Sequence, residues 1–257
     1  MNRRFGIGGL ILALCWVFLA GSATAQRIQT VQMGKGEAMV AALDGSAQVK
    51  AGGKGTPREL RVGDRLHGAD EVATAAGTRM EVALPDGSRV RFADNTRFRL
   101  LQVDAGSRTR PRSIKLNLSV GRAWANVSRA IGIKSRFELQ CENAVAGVRG
   151  TVYRMNVNDD KSALVRVYDG TVHVEGGVPA PPQAPVSVGP PKKIAGPKSV
   201  PGPRKVTLEE WVYIVKSMQQ IQIRPDGSAE KPRAFTPEED RDPWVDWNKA
   251  RDSEIAN

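Results

Sequence analysis

The sequence predicts an all-β domain over residues 37–177, a wound stack or sandwich of about a dozen short strands. A Pro-rich linker over 178–205 and a C-terminal extension with helical and strand character over 206–257 complete the chain. Three observations carry this expectation. Apolar and polar residues alternate in short runs, the period-two pattern of half-buried strands. Turn signals such as Asp44-Gly45, Gly63-Asp64, Pro85-Asp86-Gly87 and Asp169-Gly170 punctuate those runs. Nothing from Glu37 to Gly177 has a helical period.

The first residues stand outside this domain. Arg3 and Arg4 precede an apolar run, Ile7 to Ala20, and Ala23-Thr24-Ala25 gives small-x-small before Gln26. This is the pattern of a signal peptide over 1–25. The run falls short of the roughly 20 residues of a membrane span, so the mature chain is expected to be exported with no stable span. Residues 26–36 form a flexible lead-in.

The formal charge is +11, and +9 without Arg3 and Arg4. From Arg27 to Gly177 there are 24 Lys and Arg against 16 Asp and Glu; from Val178 onward, 12 against 11. The basic balance belongs to the β region, which suits either anionic partners or a solvated face. Only Cys141 survives removal of the signal segment, so an intramolecular disulfide framework is excluded. It alternates with Phe137 and Leu139, which places a buried, inert thiol on the apolar side of a strand.

Ala47-Gln48-Val49-Lys50 alternates before the Gly52-Gly53 break. Arg79 to Leu84 and Arg89 to Phe92 flank Pro85-Asp86-Gly87-Ser88, a hairpin signature. Arg97 to Leu101 and Ser113 to Leu118 follow, separated by a polar loop with Arg108, Arg110 and Arg112. Phe137 to Cys141 and Val152 to Val157 are two further strands. Between them Asn143 to Thr151 is expected to be a tight structural turn, with Gly147, Gly150 and Thr151 shaping it and Arg149 as an anchor or a displayed contact. Ala163 to Tyr168 and Val172 to Glu175 close the series.

Nine of the 16 prolines lie between Val178 and Arg204, which excludes helix and central strand there. Thr207-Leu208-Glu209-Glu210 fits a capping box, and Leu208, Trp211, Val212 and Val215 then share one helical face. Ile221 to Ile223 reads as a strand. Thr236-Pro237-Glu238-Glu239 and Asp242-Pro243-Trp244 read as two helix starts. Trp244 and Trp247 dock either on the chain's own core or in a partner's groove.

Catalytic signals are sparse. His67 and His173 lie on separate segments with no converging ligands, so no metal site and no cofactor are expected. No Gly-x-Ser-x-Gly elbow is present, and Cys141 has no evident base. A glycan hydrolase using scattered carboxylates is the remaining enzymatic alternative. Binding has more support. Arg89 and Arg91, and Arg97 and Arg99, alternate on neighbouring strands, with Val90, Phe92, Phe98 and Leu100 on the other parity. One sheet face would then carry four arginines, suited to phosphate or carboxylate groups or merely solvated. Arg149 is the other candidate contact. No nucleic-acid-binding module is visible.

Several segments in order have a family likeness: Leu60-Arg61-Val62-Gly63-Asp64-Arg65-Leu66, Asp70-Glu71-Val72-Ala73-Thr74, and Val82 to Val90 with Pro85-Asp86-Gly87-Ser88. Leu116 to Gly121, Ala146-Gly147-Val148-Arg149-Gly150-Thr151 and Val165 to Val172 continue it. From about Gly45 to Glu175 the chain resembles the FecR domain of bacterial envelope regulators. The resemblance implies an all-β, non-enzymatic, periplasmic module that contacts an envelope protein or a cell-wall component, in signalling or envelope upkeep. It differs from the signalling members in showing no cytoplasmic anti-sigma segment before Gln26. A scaffold that binds peptidoglycan or anionic lipid through the arginine face is the alternative.

Overall fold

One strand serves both halves of the molecule. In the computed structural model, which describes residues 36–104, 106, 111–129, 136–176 and 211–256, seventeen strands and one α-helix follow in order. The first eight are β1 (Glu37–Asp44), β2 (Ala47–Lys50), β3 (Arg58–Glu59), β4 (Arg65–His67), β5 (Glu71–Thr74), β6 (Arg79–Ala83), β7 (Arg89–Phe92) and β8 (Arg97–Asp104). The long strand is β9 (Ser113–Asn126). After it come β10 (Arg136–Gln140), β11 (Ala144–Val148), β12 (Val152–Val157), β13 (Ala163–Asp169) and β14 (Thr171–Gly176). The chain ends in β15 (Trp211–Lys216), β16 (Gln219–Ile223), β17 (Arg233–Ala234) and α1 (Pro243–Ala256).

The expected sandwich is present. Its first sheet runs β4–β1–β6–β7–β9–β12–β13–β16–β17, and the second runs β3–β2–β5–β8–β9–β10–β11–β14–β15. The N-terminal half of β9 pairs with β8 and β10, the latter in parallel; its C-terminal half pairs with β7 and β12. The switch falls at Gly121, whose φ is +104°. A Cβ there would collide with the Thr96 backbone and hydroxyl. That hydroxyl accepts from Arg122 N at 3.1 Å. The corner is thus built for glycine, both by φ and by space.

Inward residues of both sheets form one core. Phe92 and Phe98, from opposite sheets, stack with ring centroids 3.5 Å apart. The period-two assignment of Val90, Phe92, Phe98 and Leu100 as apolar therefore holds, and all four are fully buried. Cys141 is buried as expected.

Four expectations change. Trp211 to Lys216 is a strand, not a helix: it pairs with β14, and Trp211 Nε1 donates to Gly227 O at 2.8 Å. Leu208 and the rest of the proposed cap lie outside the described residues, as do 1–35 and the linker 178–205. The strands of 211–234 extend both sheets beyond Gly177. Thr236 to Asp240 makes a turn rather than a helix, with Asp240 N bonded to Pro237 O. The helix starts only at Pro243, capped by Asp242, whose Oδ1 accepts from Trp244 N at 2.7 Å. Finally, Asn143 to Thr151 is not one turn. Gly147 sits mid-strand in β11, paired with Glu138 and His173. Only Gly150 marks a corner, at φ +61°, where Thr151 Oγ1 donates to Thr171 O at 3.0 Å.

Gly121→Val is expected to cost about 3 kcal/mol or more, because strain and overlap with Thr96 add. Thermal unfolding followed by circular dichroism should show the midpoint fall by roughly 6–12 °C for a domain of this size.

Candidate functional site

The two outer faces differ. On the first sheet a single cross-strand row reads Glu81–Arg91–Trp124–Arg154–Arg166–Gln220, one residue from each of six neighbouring strands. Such a row would be a solvated ladder if left bare. Here the segment from Phe235 through α1 lies across it.

The seat is made of paired charges and stacked rings. Arg91 is fully buried. Its Nε donates to Glu81 Oε2 at 2.7 Å, and its Nη1 to Asp252 Oδ1 at 2.7 Å and to Asn248 O at 3.3 Å. Asp252 Oδ2 accepts from Trp124 Nε1 at 2.9 Å. Asp240 accepts from both Arg154 and Arg166. Arg122 bonds Asp242 at 2.8 Å. The guanidinium carbons of Arg122 and Arg166 lie 5.0 Å and 5.1 Å from the Trp244 and Phe235 ring centres, a cation–π distance. Trp124 stacks on Tyr168 and meets Trp244 edge-on. Trp244 and Trp247 thus dock on their own chain.

Burial alone would raise the pKa of Glu81, and it is the largest influence. The hydrogen bond and charge of Arg91, with Arg89 and Arg251, outweigh it and hold the carboxyl below its usual 4.5. Burial likewise pushes the Tyr168 hydroxyl well above its ordinary value and raises the Cys141 thiol.

The four-arginine face does not exist as one surface. β7 belongs to the first sheet and β8 to the second, so their outward side chains point away from each other. Arg91 is buried under α1, and Arg89 bonds Glu81 at 2.6 Å. Arg97 is exposed on the second sheet, and Arg99 pairs with Glu71 at 2.6 Å. Arg108 and Arg110 lie outside the described residues.

The outer face of the second sheet carries a groove of about 990 Å³. Across its floor run Gln102, Lys115, Glu138, Gly147 and His173, in register over five strands. Arg112, Arg136 and Arg149 line it as well. Its acids are Glu138 and Glu175, of which Glu138 pairs with Lys115 at 3.2 Å and Arg136 at 3.4 Å. Four cations against two carboxylates make it basic. Arg149 and Gly147, singled out from the sequence, meet here; Lys115, Arg136 and His173 were missed as site residues, though the alternation of β9, β10 and β14 puts them outward. At the rim strand β15, Val212 and Ile214 are exposed on the same face.

Among the described residues no three His, Cys, Asp or Glu side chains gather as a metal site. His67 and His173 lie in different sheets. No described helix is long and apolar enough to cross a membrane.

Residues 70–173 match the family model described as FecR protein. Two crystal structures of "a putative anti-sigma factor" from Parabacteroides distasonis ATCC 8503 are similar, each with a TM-score of 0.42. They are 19% and 18% identical to this chain; the match covers 64% of it and 59% of theirs. No curated protein matches the chain. The family match spans 104 of the chain's 257 residues.

Arg91→Ala is expected to destabilise by about 3–5 kcal/mol, because Glu81 stays buried without its main partner. Arg97→Ala, on the exposed strand, should change stability by no more than about 0.5 kcal/mol. Urea titrations of both variants check the contrast. The acid limb adds a sign. A carboxyl with a depressed folded pKa contributes stability above its unfolded value and loses it as pH falls through the folded one. Wild-type stability should therefore drop as pH falls below 4.5. Glu81→Gln should start lower and lose less over that range in the same titration.

Proposed function

We propose that this FecR-domain chain is an exported, non-catalytic binding module of the bacterial envelope. It makes protein or glycan contact in signalling or envelope upkeep. The family match supports a regulatory role, and the signal-peptide pattern of residues 1–25 supports export to the periplasm. The observation that carries the binding part is the basic groove on the second sheet. It is a concave surface of about 990 Å³ lined by Arg112 just before β9, Lys115 on β9, Arg136 on β10 and Arg149 just after β11, an arrangement suited to anionic groups. Against an enzymatic reading, Cys141 is buried with a raised pKa and lies outside the groove lining.

The groove also accommodates the scaffold reading, now moved from the four arginines to Arg112, Lys115, Arg136 and Arg149. Two assays separate the roles. In-cell cross-linking followed by capture of the tagged chain tests for an envelope protein. Sedimentation with purified cell wall tests for a glycan. Lys115→Glu with Arg136→Glu is expected to abolish whichever interaction is seen, while the melting midpoint stays within a few degrees of wild type. Undiminished capture and sedimentation by that variant would sink the groove as the contact surface. Fractionation that leaves the chain in the cytoplasm would sink export.

A further inference from the structure

We infer that the arginine row of the first sheet is a carboxylate-recognition surface closed in cis by the chain's own C-terminal segment. An acidic, aromatic-bearing segment of a partner protein would occupy it by displacing residues 235–252. The inference is independent of the groove on the opposite face.

Four features of the seat point this way. The first is the shape of the arginine site. Arg154 and Arg166 come from adjacent strands, and their side chains are only 6% and 11% exposed. Among the described residues Asp240 is the carboxylate partner of both. With the segment displaced, the two side chains still stand side by side as a fork for one carboxylate, with Gln220 holding Arg166 Nε at 2.6 Å. The surface itself therefore specifies the ligand: a carboxylate, with a ring beside it to cover the guanidinium as Phe235 does.

The second feature is repetition. Arg122 takes Asp242 and the Trp244 ring, and Arg91 takes Asp252, with the Trp247 ring centre 5.9 Å away. Phe235 with Asp240, Asp242 with Trp244 and Trp247 with Asp252 thus each give one arginine a ring and an acid. A partner would need the same acid-and-ring pairing, which makes the surface selective rather than merely basic.

Third, the cis segment fills this surface imperfectly. Arg91 Nη2, Arg154 Nε, Asp240 Oδ2 and Trp244 Nε1 are all buried without a hydrogen-bond partner. For Arg91 Nη2 and Arg154 Nε no protein group supplies a hydrogen bond, so the seat holds less tightly than its ion pairs suggest. A competitor that reaches Arg91 Nη2 and Arg154 Nε, the two of these atoms that stay on the sheet, gains what the cis segment forgoes.

Fourth, the apolar anchor of the segment is a small cluster apart from the main core, in which Trp244 and Val245 pack with Ala93 and Trp124. Phe235, Trp244 and Val245 are its buried hydrophobic residues. Arg122 and Asp242 remain about one-third exposed and so are open to screening by salt. The β-sandwich, by contrast, has a core of its own that does not include the helix.

The test uses the full chain and, as probe, a fluorescein-labelled peptide with the sequence of residues 235–254. A cis segment competes at high effective concentration, so wild type should bind the peptide weakly. Asp240→Asn with Asp252→Asn weakens that competitor, and peptide affinity should rise about tenfold or more. Adding Arg154→Gln and Arg166→Gln should remove the gain, and a scrambled peptide of the same composition should bind no variant. If the doubly substituted chain melts cooperatively yet binds the peptide no better than wild type, the inference is overturned. Hydrogen exchange on unmodified wild type gives a second reading that needs no variant. Amides of residues 244–254 should exchange faster than those of β9 and β12, and faster still in 1 M NaCl, roughly three times shorter in Debye length than 0.1 M. Exchange of the helix only together with β9 and β12, unchanged by salt, would show a permanent part of the fold and refute displacement.

Discussion

A single strand that belongs to two sheets sets the terms for everything else in this structure. β9 cannot pair with β8 and β10 over one half and with β7 and β12 over the other unless it bends between them. Gly121 supplies the bend, and the Thr96 hydroxyl packs where a side chain would otherwise project while accepting from the next amide. The residues that follow inherit the consequence. Lys115 and Asn117 face outward on the second sheet, while Arg122 and Trp124 face outward on the first. One strand thus contributes to the groove on one side and to the arginine seat on the other. The link between the two faces is covalent, with no loop between them.

The outward arginines of the first sheet then determine what the C-terminal segment must be. A guanidinium beneath a helix is tolerable only with a carboxylate beside it. The segment brings Asp240, Asp242 and Asp252 to that surface, and the sheet adds Glu81. The tryptophans do the complementary work, covering the flat faces of the guanidinium groups that the acids address edge-on. Charge and aromatic contacts are therefore coupled: removing an acid leaves a buried cation, and removing a ring lets water reach an ion pair and weakens it.

Much of the sandwich is legible in the sequence, because a strand's parity is a local property. Alternation tells that Val90 and Phe92 point one way and Arg89 and Arg91 the other, and the structure agrees. Asp86 and Ser88 close their predicted hairpin, with Ser88 N and Oγ both bonded to the Asp86 carboxylate. Parity does not tell which sheet a strand joins. β7 and β8 are consecutive, four residues apart, and lie on opposite sides of the core, so two correct parities gave one incorrect face. Trp211, Val212 and Val215 show the matching ambiguity for short runs: their spacing fits a helical face, while Trp211, Tyr213 and Val215 fit a strand equally well. The exposed edge of β14, far away in sequence, decides between them. The acids of the tail are harder still. Asp240 looks like any acidic residue near a helix start, and nothing local reveals that its partners Arg154 and Arg166 lie 86 and 74 positions back.

The contrast between the faces bears on how such a domain could act on two things at once. On the second sheet the cations remain at the surface, where association is fast and sensitive to ionic strength. On the first they are sunk beneath a segment that matches them in charge but leaves polar atoms unpaired. An open basic face favours capture; a closed one favours response, because whatever engages it must first release something. Both faces share the backbone of β9 across Gly121. Coupling between the two would need β9 itself to have two arrangements, and the Gly121–Thr96 contact is the place where a second one would have to form.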